Sequence, residues 1–290
     1  MRSLSLLLPI FFAHQFLASD VQAQPTTTGN ALLWEISGNG LNKPSYLYGT
    51  IHMICAKDFF LGEQLRKKFS STSKLYLEID MDDPAMNMKM LQLSMLKDKK
   101  LKDFFTDTDY SKLTVFFKDS IGMPLTFFGT MKPFVLFSLI TLKTLPCEKQ
   151  ESYEMTFVKM AKDQGKEVLG LETVEDQIKV FDDMPDTTQA QMLMSYVNNF
   201  DQQKKEFAKM IGFYKNQNLD SLYEQITSSP DIAGSEDALL FNRNQNWISV
   251  IEKAAKEEPV FFAVGAGHLA GEKGVINLLR KKGYTVTAVK

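Results

Sequence analysis

The chain has 290 residues, 44% of them hydrophobic and 23% charged, with a formal net charge of −2. That length and apolar content suit one full domain or two small ones. The near-zero charge gives nucleic-acid binding no electrostatic support, and the composition excludes collagen-like, coiled-coil and disordered chains.

The first segment reads as an export signal. Arg2 is a short basic start, residues 4–17 are mostly apolar with Ser5, Pro9, His14 and Gln15 interrupting them, and Val21-Gln22-Ala23 puts small residues two apart before a cleavage point. A signal peptide over 1–23 is therefore expected, then a polar linker over 24–30 and one folded unit over 31–290. No Cys follows Ala23, so no lipid anchor is indicated, and no later run reaches the roughly 18 apolar residues of a membrane span. The expected product is exported, to a periplasm or outside the cell. Export permits disulfides. Cys55 and Cys147 are the two cysteines. Compartment and even count favour a bridge between them over two buried thiols.

Residues 32–36 and 45–49 read as a strand pair joined by the turn-rich stretch 37–44. A short basic helix is expected over 61–69. Residues 74–80 alternate, with Leu75, Leu77 and Ile79 on one face and Tyr76, Glu78 and Asp80 on the other. A Met-rich helix is expected over 84–97, helical pieces over 113–145 and a helix over 155–163. A strand over 166–171 ends in Gly-Leu-Glu. Thr173 then caps a helix marked by Val174, Ile178 and Phe181. Helices are expected over 189–216, 219–227 and 236–256. Residues 259–264 form a continuous apolar strand of the buried, parallel kind. A helix over 272–282 closes at Gly283 before a final strand over 284–289. The expected fold class is mixed α/β: a central mixed sheet flanked by helices, with a large helical insertion over about 84–160 and a second helical stretch near 189–256.

The histidines carry the functional signal. There are three, and His14 leaves with the signal peptide. The other two, His52 and His268, each end an apolar run as Gly-x-x-His, in "GTIH" and "GAGH". A residue just past a buried strand sits where open α/β sheets build ligand sites. A glycine three residues earlier lets backbone turn or approach a neighbour closely. Two imidazoles aimed at one point suit a transition metal, with a carboxylate completing the set and a position left for water. Glu78 is the favoured carboxylate, since a charge among apolar strand residues is costly without a partner. Glu172 stays open as a second ligand or general base, against a plain role as a helix N-terminal charge. Arg243 and Asn244 interrupt an apolar helix in "LLFNRNQNW". Arg243 suits a substrate oxyanion, against a merely solvated face. The competing account makes both histidines structural. No His-Glu-x-x-His, Gly-x-Ser-x-Gly, P-loop or CxxC pair occurs.

"LLWEISGNGLNKPSYLYGTIHM", "LYLEID", "VLGLETVEDQIKVF", "RNQNW" and "FFAVGAGHLAGEKGVINLLRKKGY" together resemble the TraB/GumN family, which includes the pheromone-shutdown proteins and the animal Tiki proteins. The resemblance runs over about 32–289. It implies a mixed α/β fold related to erythromycin esterases and haem-binding ChaN-like proteins. It also implies metal-dependent protease activity of the Tiki kind, favouring manganese or cobalt. By motif it places the family's active-site histidines on His52 and His268, its acid on Glu78, and its Arg-Asn pair on Arg243 and Asn244, with Glu172 in the Gly-Leu-Glu block. The expectation is thus an exported hydrolase of peptide or small-molecule substrates. His52, Glu78 and His268 would hold manganese, cobalt or zinc, and Glu172, Arg243 and Asn244 would stand in catalytic roles. The alternative is a non-catalytic haem- or peptide-binding protein, for which the Met-rich 86–95 and aromatic 116–137 stretches would line an apolar pocket.

Overall fold

The computed structural model describes residues 30–229 and 234–289, so the expected signal segment, and all of the linker but Asn30, lie outside the described residues. The strand pair forms as β1 (Leu33–Gly38) and β2 (Ser45–Thr50), paired antiparallel. The turn between them uses Gly38, Asn39 and Gly40 at positive φ. Next come β3 (Ile54–Cys55), α1 (Glu63–Ser70) and β4 (Lys74–Leu77). The helical insertion holds α2 (Met86–Leu93), α3 (Asp107–Phe116), α4 (Pro133–Leu142), β5 (Gln150–Glu151) and α5 (Tyr153–Asp163). Beyond it lie β6 (Glu167–Gly170), α6 (Val174–Asp182), α7 (Asp186–Asn198), α8 (Phe200–Lys215) and α9 (Leu219–Thr227). The chain closes with α10 (Asn242–Glu257), β7 (Val260–Gly265), α11 (Val275–Lys281) and β8 (Tyr284–Ala288).

The six-stranded sheet has the order β6-β4-β7-β2-β1-β8. The first four strands run parallel to one another, and β1 runs antiparallel to both β2 and β8. The protein is therefore mixed α/β, as its sequence predicts. Both faces of the parallel part are covered, which is why every residue of β2 and five of six in β7 are buried. The ends of β6, β4, β7 and β2 all reach one sheet edge.

Some boundaries differ from the sequence reading. β4 ends at Leu77, so Glu78 follows the strand instead of standing inside it. The helix expected over 189–216 divides at Asn199, whose side-chain amide donates to the Ser195 carbonyl, a local bond that competes with helix continuation. The helix expected from 236 becomes α10 only at Asn242, after a wide helical turn over Asp237–Phe241. The cap at Thr173 forms as expected, its hydroxyl accepting from the Asp176 N–H.

Besides a smaller cluster of Ile79, Phe134, Val174 and Ile178, two larger hydrophobic cores result among the described residues. One packs helices on the sheet around Trp34, Phe261, Phe262 and Trp247. The other lies within the helices, around Leu113, Phe117, Leu136, Ile140 and Leu193. Cys55 and Cys147 form a disulfide, with their Cα atoms 5.8 Å apart. Beside it β3 pairs with β5, so the start of α5 is tied to the segment just after His52.

Candidate functional site

Four strand ends converge along the sheet edge. Glu172 follows β6, Glu78 follows β4, His268 follows β7 and His52 follows β2, in the order the strands lie. Their neighbouring backbones stay paired past the strands: Leu171 N–H donates to the Leu77 carbonyl and Glu172 N–H to that of Glu78.

The glycines of the two endings act by close approach, not by positive φ. A Cβ on Gly49 would stand 2.8 Å from Leu269 Cδ1 and 3.2 Å from Ala266, so this glycine admits the turn that carries the other histidine. Gly265 approaches Glu78, and its N–H donates to Glu78 Oε1 at 2.8 Å. Each Gly-x-x-His therefore serves the shared edge rather than its own histidine alone.

Arg243, from the first turn of α10, reaches this edge and is saturated there. Nη2 donates to Glu78 Oε2 (2.5 Å) and to Glu172 Oε1 (2.6 Å). Nε donates to both Glu172 oxygens, and Nη1 donates to the Leu239 carbonyl and approaches His268 Nε2 at 3.3 Å. All five guanidinium N–H groups thus have acceptors. Trp247 Nε1 donates to Glu172 Oε2 at 3.0 Å, and Gln177 bridges Glu78 and Glu172. Burial disfavours the Glu78 carboxylate. The charges of His268 (when protonated), Arg243 and His52, with the Gly265 N–H, outweigh that and hold Glu78 ionised well below the usual carboxylate range. Arg243 neutralises two buried acids, and Glu172 is spent on Arg243, Trp247 and Gln177.

Both histidines are anchored through Nδ1. His268 Nδ1 lies 2.7 Å from Asn244 Oδ1, whose amide nitrogen donates to the Lys273 carbonyl. That orients the Asn oxygen as acceptor, so Nδ1 carries the proton and Nε2 a lone pair. Burial first, then the nearby Arg243 and His52, push the His268 pKa down to about 3, so this imidazole is neutral. His52 Nδ1 lies 3.1 Å from Oε1 of buried Glu154, which also accepts from Thr50 Oγ1 at 2.6 Å and, through Oε2, from Ser152 Oγ. The His52 side chain remains 72% accessible by area, yet protein atoms surround it along a cavity wall. That surrounding works against protonation, but the hydrogen bond and charge of Glu154 outweigh it and raise His52 to about 9.

Taken singly, these donors are of the types that bind a divalent metal. A metal-binding histidine usually gives its second ring N–H to a carboxylate or carbonyl, as both do here. Glu78 Oε1 keeps a lone pair and lies 3.9 Å from His268 Nε2, near the roughly 3.5 Å between two donors on one tetrahedral ion. The arrangement stops short of a closed site: among the described residues no group of three His, Cys, Asp or Glu stands ready to hold a metal. Arg243 holds the other Glu78 oxygen.

His52, Glu78, Arg243 and His268 line one cavity of about 770 Å³. Its remaining walls come mainly from α4, α7, α8 and α9, so the helices roof the sheet edge. Glu154, Gln177 and Thr50 are site residues that the sequence reading missed. An acid two residues after a serine cap reads as an ordinary helix N-terminal charge, and no spacing signal marks Glu154 as a partner of His52.

The acids and histidines thus stand past the carboxyl ends of the parallel strands, the place where open α/β sheets generally build ligand sites. A sequence model of the TraB/PrgY/gumN family matches residues 32–288, and the chain belongs to that family. It is similar to metalloprotease TIKI2 of Danio rerio, 19% identical over 89% of this chain and 60% of that protein. It is also similar to metalloprotease TIKI1 of the same organism, 21% identical over 90% of this chain and 64% of that protein. The chain thus spans about three fifths of the length of these relatives. No solved structure matches it.

Proposed function

We propose that the protein is an exported, metal-dependent hydrolase that cuts an acyl bond of the peptide kind at this sheet edge. The observation that carries the reading is the pair of Nδ1-anchored imidazoles facing one cavity beside an ionised carboxylate. His52, Glu78 and His268 would hold the ion, manganese, cobalt or zinc. Bound there, a divalent ion supplies a water of lowered pKa and polarises a carbonyl. Glu154 and Asn244 fix the two imidazoles. Arg243 and Glu172 position Glu78. His52 must shed its proton to serve as a ligand, so metal affinity rises with pH. The relatives named metalloproteases support the class of reaction. The Cys55–Cys147 bridge supports export, since oxidising compartments sustain disulfides. No helix of the described residues is long and apolar enough to cross a membrane.

The test is metal content of the purified protein and titration with manganese, cobalt and zinc, with His52→Ala and His268→Ala beside the wild type. Binding that both variants lose, together with hydrolysis within a mixed library of plain and acylated peptides, is the expected result. Failure of all three ions to bind wild type sinks the reading.

A further inference from the structure

The cavity over the sheet edge is too apolar for its polar rim to explain. Five methionines, Met53, Met90, Met184, Met192 and Met210, lie along its walls among phenylalanine, leucine and isoleucine side chains. Away from the histidines, most wall groups able to donate hydrogen bonds already use their donors internally. Ser138 and Thr141 hydroxyls donate to the Phe134 and Phe137 carbonyls of their own helix. The Gln189 amide donates to the Phe181 and Met184 carbonyls, and Tyr214 Oη donates to the Gly49 carbonyl. Apart from histidines, Arg243 is the cavity's cation, and its N–H groups are spent.

A peptide drawn into such a space would leave backbone N–H and C=O groups without partners, a cost that buried polypeptide avoids. A hydrocarbon chain brings no polar group at all, and flexible methionine walls repack around a floppy ligand. The polar groups cluster at one end, where the cavity meets His52, Glu78 and His268.

We infer that this cavity holds the hydrocarbon chain of an acylated substrate, with the acyl carbonyl at the His52–His268 end. The inference rests on the hydrolase reading for its chemistry. Water gives a hydroxyl to the carbonyl carbon, the C–O or C–N bond breaks, and the proton leaves with the alcohol or amine, so that a free fatty acid remains.

Displacement of a fluorescent fatty acid by saturated monocarboxylates from eight to sixteen carbons tests it without requiring turnover. Affinity should rise about fourfold per added methylene until the cavity is filled. Ser138→Trp, at an exposed position on the α4 wall, and Met192→Trp, on the α7 wall, should each weaken the longest chain at least tenfold and the shortest much less. Circular dichroism confirms that both variants fold. Affinity that does not change with chain length, or haem or an unacylated peptide binding tighter than the sixteen-carbon acid, overturns the inference. A parallel series of acyl esters and acylated peptides separates the two readings. Chain binding with no hydrolysis keeps this one and removes the hydrolase. Hydrolysis indifferent to chain length does the reverse.

Discussion

The sheet edge and its helical roof are built on opposite terms. At the edge, polar atoms are closely paired: five guanidinium donors meet carboxylates, a carbonyl and an imidazole, and each histidine has its Nδ1 partner. Backbone approaches are so close that Gly49 leaves no room for a methyl group. The roof is held by its own apolar core and presents methionines, aromatics and internally bonded hydroxyls to the cavity. A site needs fixed geometry where bonds change and tolerant shape where the rest of a ligand lies. This chain assigns those tasks to different elements.

The contrast breaks most sharply at Arg243. Arg243→Met leaves Glu78 and Glu172 buried as uncompensated acids, and denaturant unfolding should show a loss of about 3–5 kcal/mol. Lysine should rescue only part of this, because it cannot copy the forked contacts. Next in size is the staple that holds Glu154 near His52. Replacing Cys55 and Cys147 with serine releases a loop of 92 residues. Thermal and denaturant melts should report about 2–5 kcal/mol lost. Gly49→Ala drives a methyl group into Leu269 and Ala266 and should cost about 1–3 kcal/mol. In the roof, Met192→Leu keeps the volume roughly constant and should cost less than about 1.5 kcal/mol by the same measurement. A roof as intolerant as the edge would erase the comparison.

The smallest effect is a pH dependence. His52 is raised from 6.5 to about 9 by Glu154, so its contribution to stability is fully present below pH 6.5 and is lost as pH climbs toward 9. The melting midpoint of wild type should therefore fall across that window, and that of His52→Gln should fall less. Equal slopes would mean that the pair does not couple to folding.

Much of the edge was legible because strand ends announce themselves. Apolar runs with a glycine near their end gave Glu172, His52 and His268, and a charge expected inside an apolar strand gave Glu78; all four follow neighbouring strand ends, though among the described residues no three of them form a group that could hold a metal. The Arg-Asn pair of "RNQNW" also reaches the edge, though Arg243 binds both acids and Asn244 aligns His268. Glu154 was not legible, because its partner lies 102 positions away in the chain and tertiary contacts, among them the disulfide and the β3–β5 pairing, bring them together. The cavity was foreshadowed by Met- and Phe-rich stretches, but composition cannot separate a pocket wall from a core.

The sequence by itself determined the six strands of the main sheet, though not the short β3 and β5, and also the capped helix at Thr173 and the residue types at each strand end. These follow from local periodicity and backbone chemistry. Tertiary structure alone decided which donors face which acceptors: that Arg243 answers two acids at once, that Glu154 holds His52, and that the helices leave space above the edge. Such pairings depend on elements far apart in the chain meeting at hydrogen-bond distance, and no periodicity in a sequence encodes that.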